Sequence, residues 1–216
     1  MYKNKYAILI IIPAILIAGF ALYVRILQYE PLFPSLKEIE AQEDKLKTNI
    51  IPIYKEDPVV GNKKAKNQII MFEDFGCEAC EYQMELLKEL LVKHPDSLNI
   101  IWKGLSVSTF PYSTEMAHAY AYCANEQNKF SQFKDQAFAN FDNLSTDTLN
   151  NISKTIALNE TKTSQCITSN QWKLYMNKNT ALAQLLNIQS VPTIFINNVQ
   201  TKNPQTLEEW EAILNL

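Results

Sequence analysis

The pattern that most constrains this chain is Cys77-Glu78-Ala79-Cys80, set where a buried strand gives way to an amphipathic helix. Upstream, Gln68-Ile69-Ile70-Met71-Phe72 is a short apolar run of the kind a buried strand needs. Downstream, Cys80, Met84, Leu87 and Leu91 recur at helical spacing, and Leu86 and Leu90 widen the same stripe. Cys77 therefore falls at a helix N-terminus, where unpaired N–H groups and the positive end of the dipole favour an anion. A thiolate is such an anion and is the reactive form of cysteine. Cys80 follows one helical turn later, close enough to close a disulfide.

The other two cysteines, Cys123 and Cys166, are isolated. Four cysteines allow three full pairings, and sequence alone does not choose among them. The local pair closes most readily, which leaves Cys123–Cys166 as a second, structural bridge; the alternative is two buried free thiols. Two disulfides imply an oxidising compartment. A zinc site would need four ligands, and Cys77 and Cys80 have no second cysteine pair beside them. His94 and His118 are lone residues that read as surface or helix-packing positions. The reading thus calls for no metal and no cofactor.

The formal net charge of −3 gives no basic surface for nucleic acid. With only four glycines, turns must lean on Asn, Asp and Pro, and Asn tolerates the left-handed conformation best of these. Ala7 to Val24 are eighteen positions without a charge, near the roughly 20 residues that span a bilayer. Lys3 and Lys5 precede them, which favours N-terminus inside and the body of the chain outside. Residues 1–25 are therefore expected to be an uncleaved membrane anchor, or else a signal segment; either exports the rest. Residues 26–50 read as a polar stalk and residues 51–216 as the folded domain.

Within that domain, Ile51 to Val60 reads as an edge strand or extended arm, because Pro52 and Pro58 bar a central position. Ile69–Glu73, the helix ending near His94-Pro95, and Leu98–Trp102 form a βαβ unit and so a parallel pair. A helical block is expected from about 113 to 187. It includes a helix marked by Phe130, Phe133, Phe138 and Phe141, which read as core, a cap at Ser145-Thr146-Asp147, and a last long helical stretch from about Thr163 to Leu186. Val191-Pro192-Thr193-Ile194-Phe195-Ile196 gives a strand, Asn197-Asn198 a turn, and Thr206 the cap of a last helix. Phe110-Pro111-Tyr112 follows a strand and is a candidate rim of the cysteine site.

These residues resemble the thioredoxin superfamily and, within it, the DsbA-like thiol-disulfide oxidoreductases. The resemblance rests on the strand-Phe-Gly-Cys-x-x-Cys-helix at 69–91, on Asp57-Pro58-Val59-Val60-Gly61-Asn62 before it, on the helical block, and on Ser190-Val191-Pro192-Thr193 before a strand. It implies an α/β thioredoxin fold with an inserted all-helical subdomain. It further implies that Cys77 is the exposed nucleophile, that Cys80 resolves the mixed disulfide, and that Pro192 is cis. Pro192 and Val191 would then hold the client backbone. The expected activity is exchange of disulfides with cysteine-containing client proteins, most simply as a dithiol oxidase reset by a membrane redox partner. An isomerase or reductase of the same fold, or a thioredoxin-like Cu(I) chaperone, are the alternatives. The expected location is a cytoplasmic or inner membrane, with the domain on the periplasmic or extracellular side. Two departures stand out. Glu78 follows the first cysteine, and its carboxylate opposes thiolate formation, as does that of Glu81. Met71 occupies the place where relatives often carry a buried acid, leaving Glu73 or Asp74 as substitutes.

Overall fold

The computed structural model describes residues 50–216 and, ahead of them, the helical residues 12, 15–21 and 23. The chain divides into two units, Met1–Leu32 and Phe33–Leu216. In the first, Ile12, Ile15, Leu16, Ile17 and Phe20 expose their apolar side chains. Among the described residues no helix is long and apolar enough to cross a membrane. The expected span from Ala7 to Val24 lies in part, and the stalk to residue 49 wholly, outside the described residues.

The second unit is built on five strands: β1 (Val59–Gly61), β2 (Asn67–Glu73), β3 (Leu98–Gly104), β4 (Thr193–Ile196) and β5 (Val199–Thr201). Their order across the sheet is β1-β3-β2-β4-β5. β2 and β3 run parallel, with Met71 opposite Trp102, and the other pairings are antiparallel. Helix α1 (Glu78–Lys93) makes the crossover between the parallel pair, as a βαβ unit requires. Of the expected edge strand or extended arm at 51–60, only the last part pairs, at the sheet edge. The preceding residues are fixed instead through Asp57, whose carboxylate takes a hydrogen bond of 2.6 Å from Lys103 Nζ and one of 2.9 Å from the Tyr175 hydroxyl. Neither charged side chain of this pair is exposed.

Alternation along β2 sorts its side chains to two cores. Ile69 and Met71 pack with Cys80, Met84, Leu87 and Trp102 on one face, whereas Ile70 and Phe72 pack with Leu182 and Phe195 on the other. The helical block comprises α2 (Glu115–Asn125), α3 (Phe130–Phe138), α4 (Thr146–Thr155), α5 (Glu160–Ser169) and α6 (Gln171–Leu185). Phe130, Phe133 and Phe138 join the first core, whereas Phe141 falls in the turn beyond α3 and outside that core, and Ser145 Oγ accepts Thr148 N at the start of α4. Helix α7 (Leu207–Leu214), capped by Thr206, adds Trp210 and Leu214 to the same core.

One expectation is corrected. The long helix from Thr163 to Leu186 is two helices, broken at Asn170 in the left-handed conformation, with φ +57°. Trp172, Tyr175 and Met176 then pack on Ala119 of α2 in a cluster of their own. Asparagine fills the usual place of glycine more widely. Among the described residues, six of the seven non-glycine positions with positive φ are Asn, including the Asn197-Asn198 turn between β4 and β5.

Candidate active site

β2 ends at Glu73, and the next three residues turn the chain into α1. Cys77 is the N-cap, with extended backbone, and its N–H donates to the Asp74 carbonyl at 3.2 Å. Its Sγ accepts the backbone N–H of Cys80 at 3.1 Å. A sulfur at this position meets the partial positive charge of the helix N-terminus and satisfies an orphan donor, the two conditions that favour a thiolate. Cys77 is partly exposed, whereas Cys80 is fully buried at the head of the α1 stripe. The two are joined in a disulfide, their Cα atoms 5.2 Å apart. The second disulfide joins Cys123 of α2 to Cys166 of α5.

The segment before β4 reaches this sulfur. Cys77 Sγ lies 3.7 Å from the Val191 carbonyl oxygen, and the Val191–Pro192 peptide bond is cis. Asn203 Nδ2 donates to the Pro192 carbonyl at 3.0 Å. The chain at 204–205 is held against α1 by Gln83, which donates to the Pro204 carbonyl, and by the Tyr82 hydroxyl, which donates to the Gln205 carbonyl, each at 2.7 Å. The fold thus brings together Cys77, Cys80, Val191 and Pro192, and leaves Cys123 and Cys166 in the helical block.

Behind the cysteines lie two buried acids with opposite behaviour. Glu73 continues the β2 face of Ile69 and Met71, the face that packs with Cys80. Among the described residues, neither of its carboxyl oxygens has a hydrogen-bond partner. Burial pushes this carboxyl up to about 8, against the attraction of Lys134 and of the Trp102 N–H, which faces it without reaching hydrogen-bond geometry, so it is protonated at neutral pH. Asp74 is also unexposed, and burial opposes its ionisation too. Hydrogen bonding and charge from His118 outweigh that cost, with help from Thr114 and the Ser108 backbone, and hold Asp74 at about 2. His118 Nε2 lies 2.9 Å from Asp74 Oδ1, while the backbone N–H groups of Val107 and Ser108 donate to Oδ2 at 2.9 and 2.6 Å.

His118 is therefore neither a surface nor a simple helix-packing residue. It packs against both the Phe75 and the Trp102 ring, at centroid distances of 5.0 and 5.4 Å, and binds the acid beside the cysteine turn. Gly76 closes the arrangement. A Cβ there would come within 2.8 Å of Ser108 Cβ and 2.9 Å of Thr114 Cγ2, so only glycine lets the 106–108 loop lie against the cysteine turn. From the same loop, Phe110 and Tyr112 expose their rings. Among the described residues, no three His, Cys, Asp or Glu side chains gather where they could hold a metal ion.

The fold has counterparts among solved structures. The thiol-disulfide exchange protein alpha-DsbA2 from Wolbachia pipientis superposes with a TM-score of 0.67 at 17% identity, covering 84% of this chain and 98% of that one. The catalytic domain of Proteus mirabilis ScsC gives 0.67 at 18% identity, covering 82% and 96%. Oxidised BdbD from Bacillus subtilis gives 0.62 at 18% identity, covering 76% and 94%. No curated protein matches the sequence. The thioredoxin family model matches residues 54–215, most of the chain, and the protein therefore belongs to the thioredoxin family.

Proposed function

We propose that this protein is a thiol-disulfide oxidoreductase that oxidises pairs of cysteines in client proteins through Cys77 and Cys80. The observation that carries the reading is the position of Cys77 Sγ. Cys77 is partly exposed, and its Sγ accepts the Cys80 N–H at 3.1 Å at a helix N-terminus and lies 3.7 Å from the Val191 carbonyl. Its structural counterparts include a protein described as a thiol-disulfide exchange protein.

A client thiolate attacks Cys77 Sγ, the Cys77–Cys80 bond breaks, and its electron pair goes to Cys80 sulfur, which takes up a proton. The client is then joined to Cys77. A second client thiolate attacks the client sulfur of that mixed disulfide and expels Cys77 as a thiolate. Two client thiols are oxidised to a disulfide and the protein pair is reduced to a dithiol. The Cys80 N–H and the helix N-terminus stabilise the departing Cys77 thiolate, which drives exchange in the oxidising direction. Glu78 acts against this and makes the oxidant milder. Val191 and Pro192 hold the client backbone, and Glu73, protonated on the Cys80 side of the sheet, is the group that exchanges a proton with the buried sulfur.

In this reading, Ala7–Val24 anchors the domain to the cytoplasmic or inner membrane and places it on the periplasmic or extracellular side. The uncharged run in the sequence and the exposed apolar side chains of the first unit support this. A membrane redox partner re-oxidises the pair. The reduction potential of the Cys77–Cys80 couple, equilibrated against glutathione, tests the direction. A potential above that of the glutathione pool agrees with the oxidase; one matching thioredoxin makes the protein a reductase.

A further inference from the structure

The second disulfide is not sealed in the interior. A groove of about 400 Å³ runs along the junction of α2 and α5, and both Cys123 and Cys166 line it. Cys123 has no exposed surface, but Cys166 is partly exposed. Glu126 and Lys162 give its walls one anion and one cation, and Gln165 and Gln171 add amides. Such walls suit a small zwitterionic thiol, which carries a carboxylate, an ammonium and peptide groups of its own.

The bridge is also not the only tie between its two helices. Gln127, in the turn that ends α2, donates from Nε2 to Thr163 Oγ1 at 3.0 Å, and its Oε1 accepts the N–H of Asn159, the residue that caps α5. At the other end of α5, Trp172 Nε1 donates to the Ile167 carbonyl at 3.0 Å, and Trp172 is itself packed on Ala119 of α2. Opening the disulfide leaves α5 fastened at both ends.

From these observations we infer that Cys123–Cys166 is a second exchange site, entered at Cys166 by small zwitterionic thiols of the glutathione class. This does not depend on what Cys77 does. The incoming thiolate attacks Cys166 Sγ from the groove, and a bond forms between the two. The Cys123–Cys166 bond breaks, and its electron pair goes to Cys123, which takes up a proton because burial raises a thiol's pKa. A second thiolate attacks the small-molecule sulfur, releasing the small disulfide and leaving Cys166 as a thiolate. Two small thiols are oxidised and the protein pair gains two electrons.

The test uses the full chain carrying Cys77→Ser and Cys80→Ser, so that only the second pair can react. The protein is incubated in native buffer with increasing ratios of reduced to oxidised glutathione. It is then quenched by alkylation and mapped by mass spectrometry, with near-UV circular dichroism recorded alongside. The expected result is one glutathione adduct, on Cys166 and not on Cys123, and progressive opening of the pair at millimolar reduced glutathione with the spectrum retained. Should the double variant fail to fold, peptide mapping of the wild-type chain separates the two pairs. The inference is overturned if the pair stays closed until denaturant is added, if the adduct falls on Cys123, or if opening and loss of the spectrum coincide.

Discussion

The Asp74 carboxylate and the His118 imidazole meet at 2.9 Å with both side chains fully buried. They bind the first helix of the inserted block to the turn that carries the cysteines. Removing the carboxylate by Asp74→Ala leaves His118 and the amides of Val107 and Ser108 without their acceptor. The expected loss is about 1–3 kcal/mol, the cost of leaving a buried donor without its acceptor, read from urea unfolding. Because the folded pKa of Asp74 is lowered from 3.8 to about 2, its contribution is present above pH 3.8 and is lost as pH falls toward 2. Acid unfolding of the wild type should therefore deepen across that interval, and Asp74→Ala should flatten it.

Glu73 has the opposite sign. Its folded pKa lies at about 8 against 4.5 for the free side chain. The stability it permits is fully present below pH 4.5 and declines as pH rises through 8, at up to about 1.4 kcal/mol per pH unit in between. Glu73→Gln, which keeps the shape and removes the titration, should leave stability unchanged near pH 4 and raise it at pH 8. It should also slow proton-coupled release of Cys80, seen as a shifted pH profile of exchange with a small dithiol.

How much of this was legible beforehand follows from how local each signal is. The strand, the cysteine pair and α1 are contiguous, so their apolar periodicities give the parallel βαβ unit directly. The Asn197-Asn198 turn and the Thr206 cap were legible for the same reason. The Asp74–His118 pair was not, because its members are 44 residues apart and neither residue type announces the other. Nor could alternation decide between Glu73 and Asp74. β2 stops at Glu73, so Asp74 belongs to the turn and is drawn in by the amides of 107 and 108. The break at Asn170 escaped because Trp172, Tyr175, Met176 and Leu182 prolong an apolar pattern that does not register one left-handed residue.

Gly76 gives a steric prediction. Gly76→Ala places a methyl against Ser108 and Thr114 at distances real Cβ atoms do not adopt. The 106–108 loop must move away from the cysteine turn. A cost of about 1–3 kcal/mol is expected, together with faster alkylation of reduced Cys77, measured by thermal melting and by iodoacetamide kinetics.

Glu78 sits in the first turn of α1, beside Cys77. Its carboxylate opposes the thiolate, so Glu78→Gln should lower the Cys77 pKa, by roughly half a unit to one unit given an opposing charge at an exposed site. The potential of the couple should rise in parallel. Thiolate absorbance against pH, and equilibration with glutathione, read the two effects. High salt should shrink the difference between variant and wild type.

The most direct test of the account is covalent capture. With Cys80→Ala, nothing in the cysteine turn can resolve a bond between Cys77 and a client. The account predicts disulfide-linked adducts of cysteine-containing proteins that disappear on adding dithiothreitol and are absent from the Cys77→Ser, Cys80→Ala double variant. A Cys77 thiol that alkylates freely in that single variant, yet never accumulates a protein adduct in the cell, contradicts it.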